Sequence, residues 1–479
     1  MSKPLRPEFL LWPFLVCALF FGGGCAASLS TGELRGDLLQ GNLERLEKRM
    51  IETNEDRREL VTALNLARLY QMQGRWRDSI DLYGQAIAII EDYEQRAIVN
   101  ARGVLGGVGA ATLARGSGGY YGKGYERTLL HTMNAINYAM LGDFSGAAVE
   151  MRRMEQRQEL WLEEKERRLN ELLEEQAKKK AEAAEGKGSK RPDSGYSGDN
   201  PPPGYSMGAI LNDPELRAEA AAYQEVFSYA LSSVFCRLVG DVDYAEVSLR
   251  RAGRLDEAAK KMFRLAWGDG AEHWRPKAPP FKRDRRELVV LLLNGVAPAL
   301  KMERIRLFNP FGGYVLIDLP AYEPALTEER PRIRSGDKDF DLFALLRTQV
   351  LAYRELKDEM NYELATAISR AATRAAIVAG GQAVVAAHKQ TRDMTGLVGL
   401  ALSLGMEAIS AVDARGVRNW ETLPAVGYMG MFNLPSGFEI TVSMGDKAQT
   451  VRMPEQGRGI LLLVTSVGSE QMRVDHVEY

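Results

Sequence analysis

Cysteine is scarce in this chain: Cys17, Cys25 and Cys236 are the only three in 479 residues, so a disulfide framework is excluded. Histidine is nearly as rare, and His131, His273, His388 and His476 stand far apart with no second ligand at zinc-type spacing. No metal and no cofactor are therefore expected. An excess of one charge is also missing. Lys and Arg number 62 against 64 Asp and Glu, a net charge of −2, which argues against a general nucleic-acid binder. No apolar run reaches the roughly 20 residues of a membrane span. No Gly-x-Ser-x-Gly elbow exists. The glycine-rich stretch ending in Gly122-Lys123 has Ser117 where a phosphate loop needs its first glycine and Gly124 where it needs Ser or Thr. What remains is an ordinary globular composition, 45% apolar and 26% charged, long enough for two or three domains.

The start of the chain is the most informative stretch. Lys3 and Arg6 precede an apolar run from Phe9 to Phe21, interrupted by Pro13, and then Gly22-Gly23-Gly24-Cys25. This layout resembles a bacterial lipoprotein signal, although Gly22 stands where such signals usually carry Leu. The resemblance implies that residues 1–24 are removed and that Cys25 is lipidated. More than one acyl chain there gives stable anchoring. Ala26, not aspartate, follows the cysteine, which implies the outer membrane and a periplasm-facing body. The residues also leave open an ordinary secretory signal cut near Ala26-Ala27. Loss of Lys3, Arg6 and Glu8 would shift the net charge from −2 to −3. With Cys25 lipidated, Cys236 would remain alone, beside Val234, Phe235 and Leu238, as a buried inert thiol.

Helical hairpins dominate the first part. Between Glu59 and Ala97, Leu60, Leu64, Ala67 and Leu69 precede Gly74, and Ile80, Tyr83, Ala86 and Ile87 follow it, the spacing of two antiparallel helices joined at a glycine. Leu66-Ala67, Tyr70, Gly74, Tyr83 and Ala86, with Trp76 after the turn, resemble a tetratricopeptide repeat; Ser79 replaces its usual alanine. Ala135, Tyr138, Gly142 and Ala147 repeat the pattern, and Gly240, Ala245 and Ala252 do so in a third hairpin, Glu219 to Ala259. Ala67, Ala135 and Ser233 each lie seven residues before a turn glycine.

Composition divides the chain further. Residues 25–154 hold the first hairpins with a glycine-rich insertion. Residues 155–215 hold a charged protruding helix, Glu155 to Glu185, and a Pro/Gly-rich flexible linker, Gly186 to Tyr205. Residues 216–275 carry the further hairpin. Region 285–479 reads as α+β: strands at Glu287–Asn294, Gly313–Leu319, Phe438–Ser443, Gln449–Met453, Gly459–Thr465 and Met472–Val477, and a helix from Phe340 to Met360 and beyond. Within it, residues 371–412 form a small-residue helical hairpin whose segments are too short to span, so burial inside the domain is expected. The fold class is α+β, mostly α.

Tyr125-Glu126-Arg127, Asn294-Gly295-Val296-Ala297-Pro298, Asp413-Ala414-Arg415 and Asn419-Trp420-Glu421-Thr422-Leu423-Pro424 resemble a group of bacterial envelope lipoproteins with tetratricopeptide-type N-terminal halves. That resemblance lends no catalytic activity. Together these readings imply a membrane-anchored protein-interaction scaffold whose repeats bind an envelope protein or peptide, with membrane attachment through lipid. Candidate contact residues are Tyr70, Trp76, Tyr83, Tyr138 and Tyr244, all equally placed to be repeat core. The alternative is an enzyme or enzyme activator acting on the cell wall, which carboxylates gathered between the two parts would favour.

Overall fold

The computed structural model describes residues 31–53, 59–102, 120–184, 196–216, 225–267, 285–308, 314–367, 418–468 and 471–479, apart from isolated positions within them. Cys25, the insertion 103–119, the hairpin 371–412 and Asp413-Ala414-Arg415 lie outside the described residues.

Two short helices, α1 (Thr31–Leu39) and α2 (Leu43–Thr53), precede three hairpins: α3 (Leu60–Met72) with α4 (Trp76–Arg102), α5 (Gly124–Met140) with α6 (Phe144–Ala184), and, after α7 (Gly208–Leu211), α8 (Val226–Leu238) with α9 (Val242–Leu255). Helix α10 (Glu257–Trp267) follows. Each hairpin turns on a glycine in the left-handed region, Gly74, Gly142 and Gly240 at φ 75, 79 and 85°. All three close with the same pair of bonds. The glycine N–H reaches the carbonyl three residues back (Gln71, Ala139, Arg237), and the next N–H reaches the carbonyl five residues back (Tyr70, Tyr138, Cys236) at 2.9 Å. This arrangement satisfies orphan carbonyls only if the glycine position tolerates positive φ. Ala67, Ala135 and Ser233, seven residues upstream, are fully buried.

Ser79 has a clear role: its hydroxyl donates to the Ala67 carbonyl at 2.7 Å and accepts from Asn137 Nδ2 at 2.8 Å. Gln71 extends the chain, donating to Asn137 Oδ1 at 2.6 Å and the Met133 carbonyl at 2.8 Å, so the first and second hairpins are stitched by polar groups that satisfy one another.

The C-terminal part contributes β1 (Arg286–Asn294), β2 (Ala299–Phe308), β3 (Tyr314–Glu323), β4 (Arg332–Ser335), β5 (Lys338–Asp339), β6 (Phe343–Arg347), a helix α11 (348–361), β7 (Val426–Leu434), β8 (Glu439–Met444), β9 (Lys447–Arg452), β10 (Gly459–Gly468) and β11 (Gln471–Glu478). A five-stranded mixed sheet runs β11-β10-β1-β7-β6, with β1 parallel to β10 and antiparallel to β7. A four-stranded sheet runs β5-β4-β8-β9, and β2 and β3 pair separately.

The unbroken run Leu288-Val289-Val290-Leu291-Leu292-Leu293 explains the layering. Alternate side chains of a strand face opposite ways, so a strand apolar at every position must be covered on both faces. Val289, Leu291 and Leu293, with Leu461, Leu463, Met429 and Met431, share a core with the helical hairpins. Leu288, Val290 and Leu292, with Ile460, Leu462 and Val464, pack against Ile333, Ile440, Val442 and Val451 of the four-stranded sheet. Helices, large sheet and small sheet form three layers. The hairpin residues and region 285–479, distinct in texture, bury their apolar side chains in one common core.

Several expectations need correction. The helix expected from Phe340 begins at 348; Phe343–Arg347 instead pairs with β7 as an edge strand. Local spacing suits either structure, and pairing to β7 decides it. Strands β2, β4, β5 and β7 also lie outside the runs that read as strands from sequence. In β7, Gly427 and Gly430 make room for their neighbours: a Cβ would lie 2.9 Å from Leu346 Cβ at Gly427 and 2.5 Å from Leu342 Cδ2 at Gly430. The flexible linker expected to run to Tyr205 is anchored at its end, while Asp199, Asn200, Pro203 and Gly204 are exposed. Tyr205 is 5% exposed and donates to the Pro320 carbonyl, and Met207 and Leu211 are buried in the main core. The charged helix, by contrast, extends the second hairpin as expected, as the 41-residue α6.

Candidate functional site

The segment Asn419–Pro424 is where distant parts of the chain meet. Asn419 Oδ1 accepts from the Leu300 N–H at 3.0 Å, and its Nδ2 donates to the Pro298 carbonyl at 2.7 Å. The Trp420 N–H donates to Glu126 Oε1 at 2.7 Å, and its ring lies edge-on to Tyr83 at 5.7 Å. The N–H and hydroxyl of Thr422 both donate to Asn65 Oδ1, at 3.1 and 2.9 Å. Glu421 accepts from the Thr31 hydroxyl at 2.9 Å. The Leu423 carbonyl accepts from Ala297 N–H at 2.8 Å, and the Thr348 hydroxyl donates to the Pro424 carbonyl at 2.6 Å. Three of the four sequence blocks that carry the envelope-lipoprotein resemblance are thus joined to one another.

Beside this segment lies a buried carboxyl cluster. Glu126, in the first turn of α5, accepts from Lys123 N–H at 2.7 Å and from Tyr120, in addition to Trp420. It is 1% exposed, and burial pushes its carboxyl up to about 8 against the pull of those donors. Glu355 on α11 accepts from Gly124 N–H at 3.0 Å through Oε1, while its Oε2 is buried without a hydrogen-bond partner. Burial first, and the neighbouring Glu359 second, raise its carboxyl, opposed by Lys123. Lys123 Nζ sits 3.1 Å from Glu359 at the partly exposed rim. Tyr125 and Tyr322, both buried, complete the cluster, their hydroxyls raised by burial and by the nearby carboxyls. Glu126 follows Lys123 by three residues, the spacing of a helix-starting acid. That local signal was in the sequence, but its second carboxyl was not.

Of the candidate contact residues Tyr83 is buried and the other four are half-buried, each with its own local partner. Tyr83 is fully buried, its hydroxyl unpartnered and held high by burial, which removes it from any accessible surface. Tyr70 is half-buried under the Arg75 guanidinium, 3.8 Å from its ring centroid. Trp76 and Tyr138 are half-buried against the main core. Tyr244 packs on Ala148, Cys236 and Ala245, with Arg152 5.5 Å above its ring. The Cys236 thiol is buried and pushed up to about 11, away from nucleophilic character.

Other buried polar groups are paired: His131 Nδ1 with Glu150 between α5 and α6 at 2.7 Å, and Arg237 of α8 with Glu287 of β1 at 2.8 Å. Among the described residues no group of His, Cys, Asp and Glu could hold a metal ion, and no helix is long and apolar enough to cross a membrane. No protein-family model and no curated protein matches this chain.

Proposed function

We propose that the protein is a membrane-tethered, periplasm-facing scaffold that binds an envelope protein through TPR-like hairpins, attached by lipid on Cys25. One observation carries this reading. Leu141, Val149, Val239 and Val242 are 42, 44, 37 and 41% exposed; Leu141, Val239 and Val242 flank the turns of the second and third hairpins, and Val149 lies in the second turn of α6. These hairpins abut through Ala148, Cys236 and Ala245 and through the ion pair of Arg152 with Asp241. Large apolar side chains left exposed on two hairpins that abut, each with a half-buried tyrosine (Tyr138, Tyr244), suit a protein contact better than water. The inner side of the hairpins is filled by the chain's own segment 419–424, so a partner is met at the turn edge.

The test is site-specific photo-crosslinking in envelopes. A probe at Val239 should give a discrete adduct that Leu141→Asp abolishes, while a probe at Glu257, on α10, should give none. Absence of an adduct at Val239, or equal adducts at both positions, overturns the reading. A second reading, an enzyme or enzyme activator acting on the cell wall, is favoured by the meeting of Glu126 and Glu355 where the helical and α+β parts join. Both carboxyls are at most 5% exposed, and for that reason we put the scaffold reading first.

A further inference from the structure

We propose that Glu126 and Glu355 form a proton-held latch, which keeps the second hairpin closed on the 419–424 segment while the pair holds a proton and loosens that junction when the proton is lost. The geometry supplies both halves of the device. Glu126 is bonded across the junction to the Trp420 N–H, and Glu355 reaches from α11 to the first N–H of α5. Gly124, which Glu355 holds, and Glu126 lie two residues apart in the first turn of α5, so both buried carboxyls bear on one helix start, and Glu355 adds to the burial that opposes ionisation of Glu126. Two adjacent buried carboxylates repel at low dielectric, and the site must compensate them or yield.

Compensation is uneven. From α5 and the residues before it the pair faces Lys123, Arg127 and the hydroxyls of Tyr120 and Tyr125; from α11, Glu359; from β3, the Tyr322 hydroxyl; from the 419–424 segment, only the Trp420 N–H. Lys123 is engaged by Glu359 and Arg127 by Glu94, at 3.1 and 3.5 Å. Glu126 meets four donors, whereas Glu355 keeps one oxygen with no donor at all. A carboxyl oxygen buried without a donor is where a proton is best retained. Full ionisation would therefore strain the contact between α5, α11 and the Trp420 segment, and leave the far sheet untouched.

Hydrogen exchange of the full chain, corrected for intrinsic rate, reads this directly. Between about pH 6 and about pH 9, peptides covering 120–127 and 418–424 should lose protection, by about tenfold per pH unit for each proton released, while those covering β10 should not. Glu355→Gln and Glu126→Gln, which cannot ionise, should keep the junction protected at the upper pH. A structural role alone would lower protection equally at every pH. If junction protection in the unmodified protein follows that of β10 across the range, or if folded Glu355→Gln loses protection as the unmodified protein does, there is no latch.

Discussion

The main-chain N–H of Trp420 donates to the carboxyl of Glu126 at 2.7 Å across 294 residues of sequence. With the Trp420 ring edge-on to Tyr83, this bond seats the segment before β7 inside the helical hairpins. Helical-repeat proteins commonly leave that inner surface for a partner. Here the chain occupies it itself.

Asn419 should be indispensable to that seating. It satisfies one buried N–H and one buried carbonyl on the Pro298–Leu300 stretch. Asn419→Ala leaves both orphaned, a loss of about 2–5 kcal/mol, to be read by urea unfolding. A change below about 1 kcal/mol would mean water replaces the side chain without cost.

Tyr83 separates a core role from a binding role. Its ring is fully buried but its hydroxyl has no partner, so Tyr83→Phe should be neutral or stabilising. Tyr83→Ala should cost about 3–5 kcal/mol. Differential scanning calorimetry of the two variants gives the comparison, and a destabilised Tyr83→Phe would reveal a bond the buried hydroxyl makes.

The left-handed glycines are not equal. Gly240, at φ 85°, has open space around its missing Cβ, so Gly240→Ala should cost only the conformational strain, about 1–2 kcal/mol. Gly295, at φ 74°, would place a Cβ 2.2 Å from the Leu326 carbonyl oxygen and break the Val296–Leu326 bridge. Gly295→Ala should lose about 1–3 kcal/mol more than Gly240→Ala. Equal denaturation midpoints for the two would contradict this packing.

Stability should fall as pH rises through neutrality. Burial pushes the Glu225 carboxyl, at the N-cap of α8, up to about 7 from an ordinary 4.5. Between those values the native state holds a proton that the unfolded chain releases, so the contribution is complete below the ordinary carboxylate range and is lost as pH rises through about 7. Urea midpoints at pH 5.5 and pH 8 should show the decline, and Glu225→Gln should flatten part of it. A flat profile in the unmodified protein would mean this carboxyl ionises freely in place.

Lipidation of Cys25 is tested by metabolic palmitate labelling. Cys25→Ser should abolish labelling and release the protein from membranes, and unchanged labelling would redirect the assignment to an ordinary secretory signal.

Sequence alone determined what is local. The glycine turns were legible because a left-handed residue ending a helix leaves a mark within seven residues: a small residue upstream, apolar spacing on both sides and Gly at the bend. The strand Arg286–Asn294 was legible because its uninterrupted apolar run suits burial on both faces. Tertiary structure decided the rest. Phe343–Arg347 became a strand because β7 offers its backbone groups partners, a pairing across about 80 residues that no window of spacing contains. Tyr205 was packed, not solvated, because β3 presents the Pro320 carbonyl to its hydroxyl. Tyr83 passed from candidate contact to core because Trp420 lies against it. The carboxyl pair of Glu126 and Glu355 exists only once α11 is laid beside the start of α5, since burial and the nearness of like charge, not residue type, set those two acids apart from the many on the surface.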